Sequence, residues 1–248
     1  MRKFGLIGYP LSHSFSKSYF TDKFSREGIK DVVYENYPLE SIRELPELIR
    51  SVPDLEGLNV TIPYKEKVIP FLNDLAGEAK VINAVNTIKI IRTDGIRLTG
   101  YNTDVWGFET SLRPLLKPWH TFALILGTGG AAKAIEYVLK KLDIEVWFVS
   151  RHPRGNRAIR YDELTGLMLQ RIKLIINTTP LGMYPDTDTC PDIPYRFLTS
   201  DHLLYDLVYN PEETLFMKLG KERKATVVNG LQMLEQQAEK AWEIWNDE

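Results

Sequence analysis

The chain has 248 residues, enough for one large or two medium domains, and its 31 basic and 33 acidic side chains leave a net charge of −2 with no basic footprint for nucleic acid. Its one cysteine, Cys190, excludes an internal disulfide and a multi-cysteine zinc site, so no metal is expected. No apolar run nears the roughly 18 residues of a membrane span, and the N-terminal run stops at Gly8-Tyr9-Pro10, too short for a secretory signal, so a cytoplasmic globular protein without a membrane partner is expected.

In chain order, strand patterns are predicted at Lys3–Ile7, Val32–Tyr37, Leu58–Ile62, Val85–Ile91 and Arg97–Gly100. Helical patterns lie between them at Ser16–Glu27, Ser41–Ser51 and Tyr64–Leu72, an alternation that argues for α/β architecture with a largely parallel sheet. Within this part, Asn59-Val60-Thr61-Ile62-Pro63-Tyr64-Lys65-Glu66 reads as a strand running into a helix, with Pro63 at the first helical position. Lys65 then faces the positive end of the helix dipole, which disfavours the ammonium form and marks a candidate general acid/base; the alternative is a solvated lysine on a helix end.

Asp104 is expected to N-cap a helix running to Leu116, limited by Pro114 and Pro118, that bridges two halves of the chain. The second half restarts with a strand at Thr121–Leu126, a helix at Ala131–Leu142 and a strand at Glu145–Ser150. Further strands are predicted at Lys173–Asn177, Leu203–Leu207 and Thr226–Val228. The last segment places Leu231, Leu234, Ala238, Ala241, Trp242 and Trp245 on one helical face, suited to folding back onto the first domain and leaving a cleft between the two.

Gly127, Gly129 and Ala132 satisfy the G-x-G-x-x-G/A pattern between a predicted strand and a predicted helix. Such glycines allow a tight turn and close backbone approach to a pyrophosphate at the helix N-terminus. The end of the following strand then selects the cofactor. An NAD site usually offers an acid there, whereas Val149-Ser150-Arg151-His152-Pro153-Arg154 offers two arginines, suited to bidentate pairing with a 2′-phosphate. NADP is therefore expected rather than NAD; two solvated surface arginines are the alternative.

Seven segments, in order, together resemble the shikimate dehydrogenase family over nearly the whole chain. They are Gly8 to Ser16, Asn59 to Glu66, Asn83-Ala84-Val85-Asn86-Thr87, Gly100-Tyr101-Asn102-Thr103-Asp104, Asn177 to Met183, Asp206 to Pro211 and Gly230 to Ala238. The resemblance implies reversible NADP-dependent reduction of 3-dehydroshikimate to shikimate, a step towards aromatic amino acids; whether the chain acts as a monomer or homodimer is not readable from the sequence. It implies an α/β substrate domain from 1–104 plus 229–248, and a Rossmann-type NADP-binding domain from 105–228. By residue matching, Lys65 and Asp104 are the implied catalytic pair. Ser14, Ser16, Thr61, Asn86, Tyr209 and Gln237 would line the substrate site with them. The implied cofactor side comprises Gly127, Thr128, Gly129, Gly130, Ala131, Ser150, Arg151, Arg154, Asn177, Thr178, Thr179, Leu207 and Gly230. Two departures stand out: Lys17 replaces the usual proline, and Arg154 comes one place early, where Arg157 could substitute.

The implied substrate is a small polyol carrying a carboxylate and a ketone, and it calls for many hydrogen bonds. Ser14 and Ser16 can donate to the carboxylate, or N-cap the helix that starts there. Lys65 as ammonium can protonate the developing oxyanion, with Asp104 orienting it. His13 and Cys190 are given no chemical role. Rival functions are a quinate/shikimate dehydrogenase of broader specificity, a folate dehydrogenase, and a non-catalytic nucleotide-binding regulator; the presence of both Lys65 and Asp104 speaks against the last.

Overall fold

The strands of the computed structural model, which describes residues 1–11 and 14–247, form two six-stranded sheets, one from each half of the chain. Ser12, His13 and Glu248 lie outside the described residues. The chain divides into two compact units, one of residues 1–106 joined by the final helix from Gln237 onward, the other of residues 107–236. Residues 229–236 thus fall in the second unit. No helix among the described residues is long and apolar enough to cross a membrane.

The first unit is built on β1 (Arg2–Gly8), flanked in parallel by β2 (Val32–Pro38) and β3 (Leu55–Val60). Alternation along β1 sends Phe4 and Leu6 to one face and Ile7 to the other, so each face meets its own core. On one face, α1 (Phe15–Arg26) packs Phe20 and Phe24, one turn apart, into a cluster with Phe4, Tyr34, Ala238, Ala241 and Trp245. The opposite face buries Leu45 and Ile49 of α2 (Leu45–Ser51) with Ile7, Leu55 and Leu58. The last helix of the chain is pinned here by two further devices. Buried Lys23 pairs with Glu239 at 2.7 Å and Glu27 at 2.9 Å, and the Trp245 indole N–H donates to the Ile88 carbonyl at 3.0 Å.

After β3 the chain passes through β4 (Asp74–Leu75) and α3 (Ala79–Ile82) before returning as β5 (Thr87–Ile91) and β6 (Arg97–Tyr101). The sheet order is β2-β1-β3-β5-β6-β4. β5 runs antiparallel to both β3 and β6, so the sheet is mixed where a largely parallel one was expected. The register sets Asn59 opposite Thr87 and Thr87 opposite Tyr101. The end of β3, the start of β5 and the end of β6 therefore lie side by side at one sheet edge.

The predicted helix over Tyr64–Leu72 does not form; turns lead instead into a 3₁₀ turn at Ile69–Phe71. The Tyr64 N–H closes a turn onto Thr61 O at 2.9 Å, and the Lys65 carbonyl accepts from Val85 N at 2.7 Å rather than from a helical neighbour. The Tyr64 ring is buried, with its hydroxyl on Leu39 O at 2.5 Å. Tertiary hydrogen bonds, and Pro70 inside the predicted span, thus override the local apolar spacing. The predicted strand at Leu58–Ile62 is displaced too, beginning at Leu55.

In place of one helix to Leu116, α4 (Asp104–Leu112) gives way to a 3₁₀ turn at Arg113–Leu115 around Pro114. The second unit then holds β7 (Phe122–Leu126), α5 (Gly130–Lys141), β8 (Glu145–Val149), β9 (Ala158–Ile159), α6 (Gly166–Arg171), β10 (Leu174–Asn177), β11 (Leu203–Asp206), α7 (Leu215–Glu222) and β12 (Thr226–Val228). β9, α6 and α7 carried no recognised sequence signal. Every neighbouring pair is parallel, in the order β12-β11-β10-β7-β8-β9. The chain winds outward from β7 to β9, then restarts at β10 on the other side, the doubly wound Rossmann arrangement with its switch point between β7 and β10. The chain ends in α8 (Leu231–Asn246).

Candidate functional site

The edge of the first sheet gathers the predicted catalytic pair. Lys65, in the turns after β3, donates from Nζ to Asp104 Oδ2 at 2.7 Å. Asp104 is the first residue of α4, and its carboxylate faces the lysine instead of capping the helix. Without a helix at Tyr64–Leu72, the dipole argument for Lys65 falls away; its electrostatic partner is the Asp104 carboxylate. The two side chains are only 18% and 8% exposed, shielded yet reachable for the lysine.

Asn86 joins the pair from the residue before β5. Its oxygen accepts from Thr103 N at 2.7 Å, which turns its amide nitrogen onto Asp104 Oδ1 at 2.9 Å. Gln237 Oε1 lies 3.4 Å from both that nitrogen and the Thr103 hydroxyl. Lys65, Asn86, Asp104 and Gln237 therefore form one hydrogen-bonded group.

Behind it stands a polar chain that sequence reasoning missed. Burial holds the Tyr34 phenol well above its ordinary pKa, so it remains a donor, and it gives its proton to Asn59 Oδ1 at 2.8 Å. Asn59 Nδ2 then donates to Thr87 Oγ1 at 3.2 Å, and the Thr87 hydroxyl donates to Asn86 Oδ1 at 3.2 Å. The available signal was polar Asn59 inside an otherwise apolar, fully buried strand end; such a group must find partners.

The other predicted substrate residues follow strand ends. Ser14 occupies the N-cap position of α1 but makes no capping bond, and its buried hydroxyl has no hydrogen-bond partner among the described residues. Ser16, in the first turn, hydrogen-bonds Tyr34. Thr61 follows β3, half-buried, with its N–H on Ile7 O at 2.9 Å. Tyr209 is half-buried in the second unit, after β11.

Because the second sheet is parallel, its strand ends share one edge, and the predicted dinucleotide residues all follow such ends. Gly127 has φ +101°, and a Cβ there would lie 2.9 Å from Thr178 Oγ1 and 3.0 Å from Thr179 Cγ2. Gly129 N-caps α5, and a Cβ on it would meet nothing within 4 Å, so the helix N-terminus is open to an anion. Thr128 is exposed, and Gly130 and Ala131 are half-buried in the first turn of α5. Beyond β8, Ser150 accepts His152 N at 3.2 Å, and Arg151, Arg154 and Arg157 are exposed without an acidic partner among the described residues. Thr178 anchors the loop after β10 by donating its hydroxyl to Leu126 O at 2.8 Å, and the Leu207 N–H donates to Asn177 O at 2.9 Å. An open helix N-terminus at a switch point, with free guanidinium groups beside it, fits a phosphorylated dinucleotide.

Gly230 is needed for close approach, since a Cβ there would lie 2.1 Å from Leu207 O and 2.7 Å from its carbonyl carbon. Gly230→Ala must shift backbone and is expected to lose about 2 kcal/mol of stability in denaturant melts. Wild-type stability in that variant would contradict the packing.

Asp206, at the end of β11, is fully buried and went without a role in the sequence. Burial pushes its carboxyl up to about 6 from 3.8, against hydrogen bonds from Thr214, Val208 and Asn177. Folding thus favours the neutral form: that stability is fully present below 3.8 and is lost as pH rises through about 6. Between about pH 7.5 and about pH 5, wild type is expected to gain about 1.4 kcal/mol relative to Asp206→Asn. A difference that stays constant across that range would refute the shift.

A family model, the shikimate dehydrogenase substrate binding domain, matches residues 6–88. The NADP(+) shikimate dehydrogenase of Carboxydothermus hydrogenoformans is 40% identical, over 97% of this chain and 90% of that protein. That of Clostridium beijerinckii is 39% identical, over 100% of this chain and 93% of its own length. Among solved structures, shikimate 5-dehydrogenase from Thermus thermophilus in complex with NADP(H) and shikimate matches with a TM-score of 0.86 at 30% identity, covering 99% of this chain and 94% of that one.

Proposed function

The chain belongs to the shikimate dehydrogenase family, and from that membership we propose that it catalyses the reversible, NADP-dependent reduction of 3-dehydroshikimate to shikimate. The observation that carries this reading to the residues is the Lys65–Asp104 pair, held at 2.7 Å among hydrogen-bonding side chains. Residues 1–104 with 229–248 would take the substrate, and residues 105–228 the dinucleotide.

A bound nicotinamide would supply or take the hydride. As the ketone carbon is reduced, its oxygen gains negative charge; the Lys65 ammonium stabilises that charge and delivers the proton, and the Lys65 amine accepts one in reverse. Asp104 keeps Lys65 oriented through one oxygen and Asn86 through the other, and its remaining lone pairs can accept a substrate hydroxyl. The Ser14 hydroxyl, which has no hydrogen-bond partner among the described residues, is suited to donate to the substrate carboxylate, with Thr61 and Tyr209 as further donors; Ser16, whose proton goes to Tyr34, would accept from a substrate hydroxyl. Gln237, whose oxygen meets Asn86 and Thr103, would stand beside the pair near the ring hydroxyls. On the other sheet, Gly127 to Ala131 would hold the pyrophosphate, Arg151 with Ser150 and Arg154 the 2′-phosphate, and Asn177 to Thr179, Leu207 and Gly230 the nicotinamide end.

The test is to mix purified protein with 3-dehydroshikimate and NADPH, with NADH in parallel, and to run quinate with NADP+ as a second substrate. Rapid oxidation of NADPH over NADH supports the proposal. Comparable turnover of quinate would shift it to a broader dehydrogenase. Folded protein inactive with either cofactor would overturn it in favour of a nucleotide-binding regulator.

A further inference from the structure

The buried Asp206 carboxylate takes no part in the chemistry above, yet three separate segments converge on it. Asn177 Nδ2, from the end of β10, donates at 2.9 Å; Val208 N, beyond β11, at 3.0 Å; and the Thr214 hydroxyl, at the N-cap of α7, at 2.6 Å. Among the described residues its environment holds these three donors and no opposing cation, so they are its compensation. Each passes the constraint onward. With its nitrogen committed, Asn177 turns its oxygen to the N–H of Thr179 at 3.0 Å and to the Thr179 hydroxyl at 2.6 Å, closing the loop that packs against Gly127. Val208, held by its N–H, in turn accepts from Gly230 N at 3.1 Å, which seats Gly230 against Leu207.

We infer that Asp206 is a positioning residue for the dinucleotide site: its ionised carboxylate fixes the Asn177–Thr179 loop and the Leu207–Gly230 contact at once. The inference rests on the dinucleotide reading of this sheet edge. An amide of the same shape would keep one acceptor but turn a donor onto Thr214, stranding the threonine proton in a buried site. The loops on either side would then lose their common anchor.

The test compares wild type with Asp206→Asn, Thr214→Val and Thr214→Ser at about pH 8, where the carboxyl is ionised. It measures the NADP+ dissociation constant by calorimetry, the KM for shikimate, kcat and the melting temperature, all on the full chain. Asp206→Asn is expected to weaken NADP+ binding about tenfold while the shikimate KM stays within about twofold. Thr214→Val is expected to weaken it about threefold, and Thr214→Ser, which keeps the hydroxyl, to bind as wild type. If Asp206→Asn melts lower but binds NADP+ normally, the carboxylate is a folding element only and the inference fails. Should that variant not fold, equal NADP+ affinity of the Thr214→Val and Thr214→Ser proteins overturns it instead. Wild type that does not bind NADP+ would sink the dinucleotide reading itself, an outcome distinct from both.

Discussion

Replacing Lys65 with alanine is expected to lower kcat by about 10³-fold in both directions, with NADP+ affinity and the KM for shikimate changed only a few-fold. The oxyanion formed on reduction needs a proton, and on the proposed mechanism the Lys65 ammonium is its source. Truncation removes both that proton and the positive charge that would stabilise the transition state. Asp104 would be left shielded and without the Lys65 cation, with Asn86 still donating to it. Lys65→Arg separates charge from proton transfer. A guanidinium can still pair with Asp104 but does not give up its proton at neutral pH, so turnover stays low despite the retained charge. Steady-state kinetics in both directions check this, with circular dichroism to confirm folding. A Lys65→Ala protein with nearly normal kcat would remove Lys65 from the chemistry.

Arg151→Ala is expected to raise the KM for NADPH about 100-fold while that for NADH stays within about twofold. Arg151 lies just past β8, exposed and without an acidic partner among the described residues, at the position where an NAD site would carry an acid. Its guanidinium can form paired, charge-assisted hydrogen bonds with a phosphate, which are roughly twice as strong as the neutral-acceptor bonds it could make to an unphosphorylated ribose. Arg154 and Arg157 lie further along the loop, and alanine at either is expected to cost less. Arg157 has the firmer backbone setting, since its carbonyl accepts from Phe148 N at 2.8 Å at the margin of β8. Parallel titrations of the three variants with both cofactors check the assignment. Equal losses for NADPH and NADH would mean that Arg151 supports the loop rather than the 2′-phosphate.

Strong local signals made part of this molecule legible. A strand, a glycine turn and a helix in succession identified β7, Gly127 and α5, and the outcome matched because backbone chemistry there leaves few alternatives. The apolar face of the last helix likewise led to its packing: Ala238, Ala241 and Trp245 are buried against Phe4 and Phe20. Lys65, Asn86 and Asp104, far apart in sequence, do meet. What brings them together was not legible, because strand pairing is a tertiary choice: the antiparallel return of β5 beside β3 aligns their three segments. Around Lys65 the local pattern misled. Tyr64 and Val68 are spaced like one face of a helix, but they are buried through turns, and Val85 claims the Lys65 carbonyl. Buried polar partners were hidden for a related reason. Thr87 reads as an ordinary β-branched strand residue and Asp206 as an ordinary strand-end acid; only burial reveals that each must be hydrogen-bonded.

The most direct test is a single-turnover experiment in which excess protein preloaded with NADPH is mixed with 3-dehydroshikimate, for wild type and Lys65→Ala side by side. Reduced-nicotinamide absorbance should fall rapidly in wild type and about 10³-fold more slowly in the variant, with equal NADPH loading in both. No absorbance change in folded, loaded wild type would contradict the proposed reaction, and equal rates in the two proteins would contradict the role of Lys65.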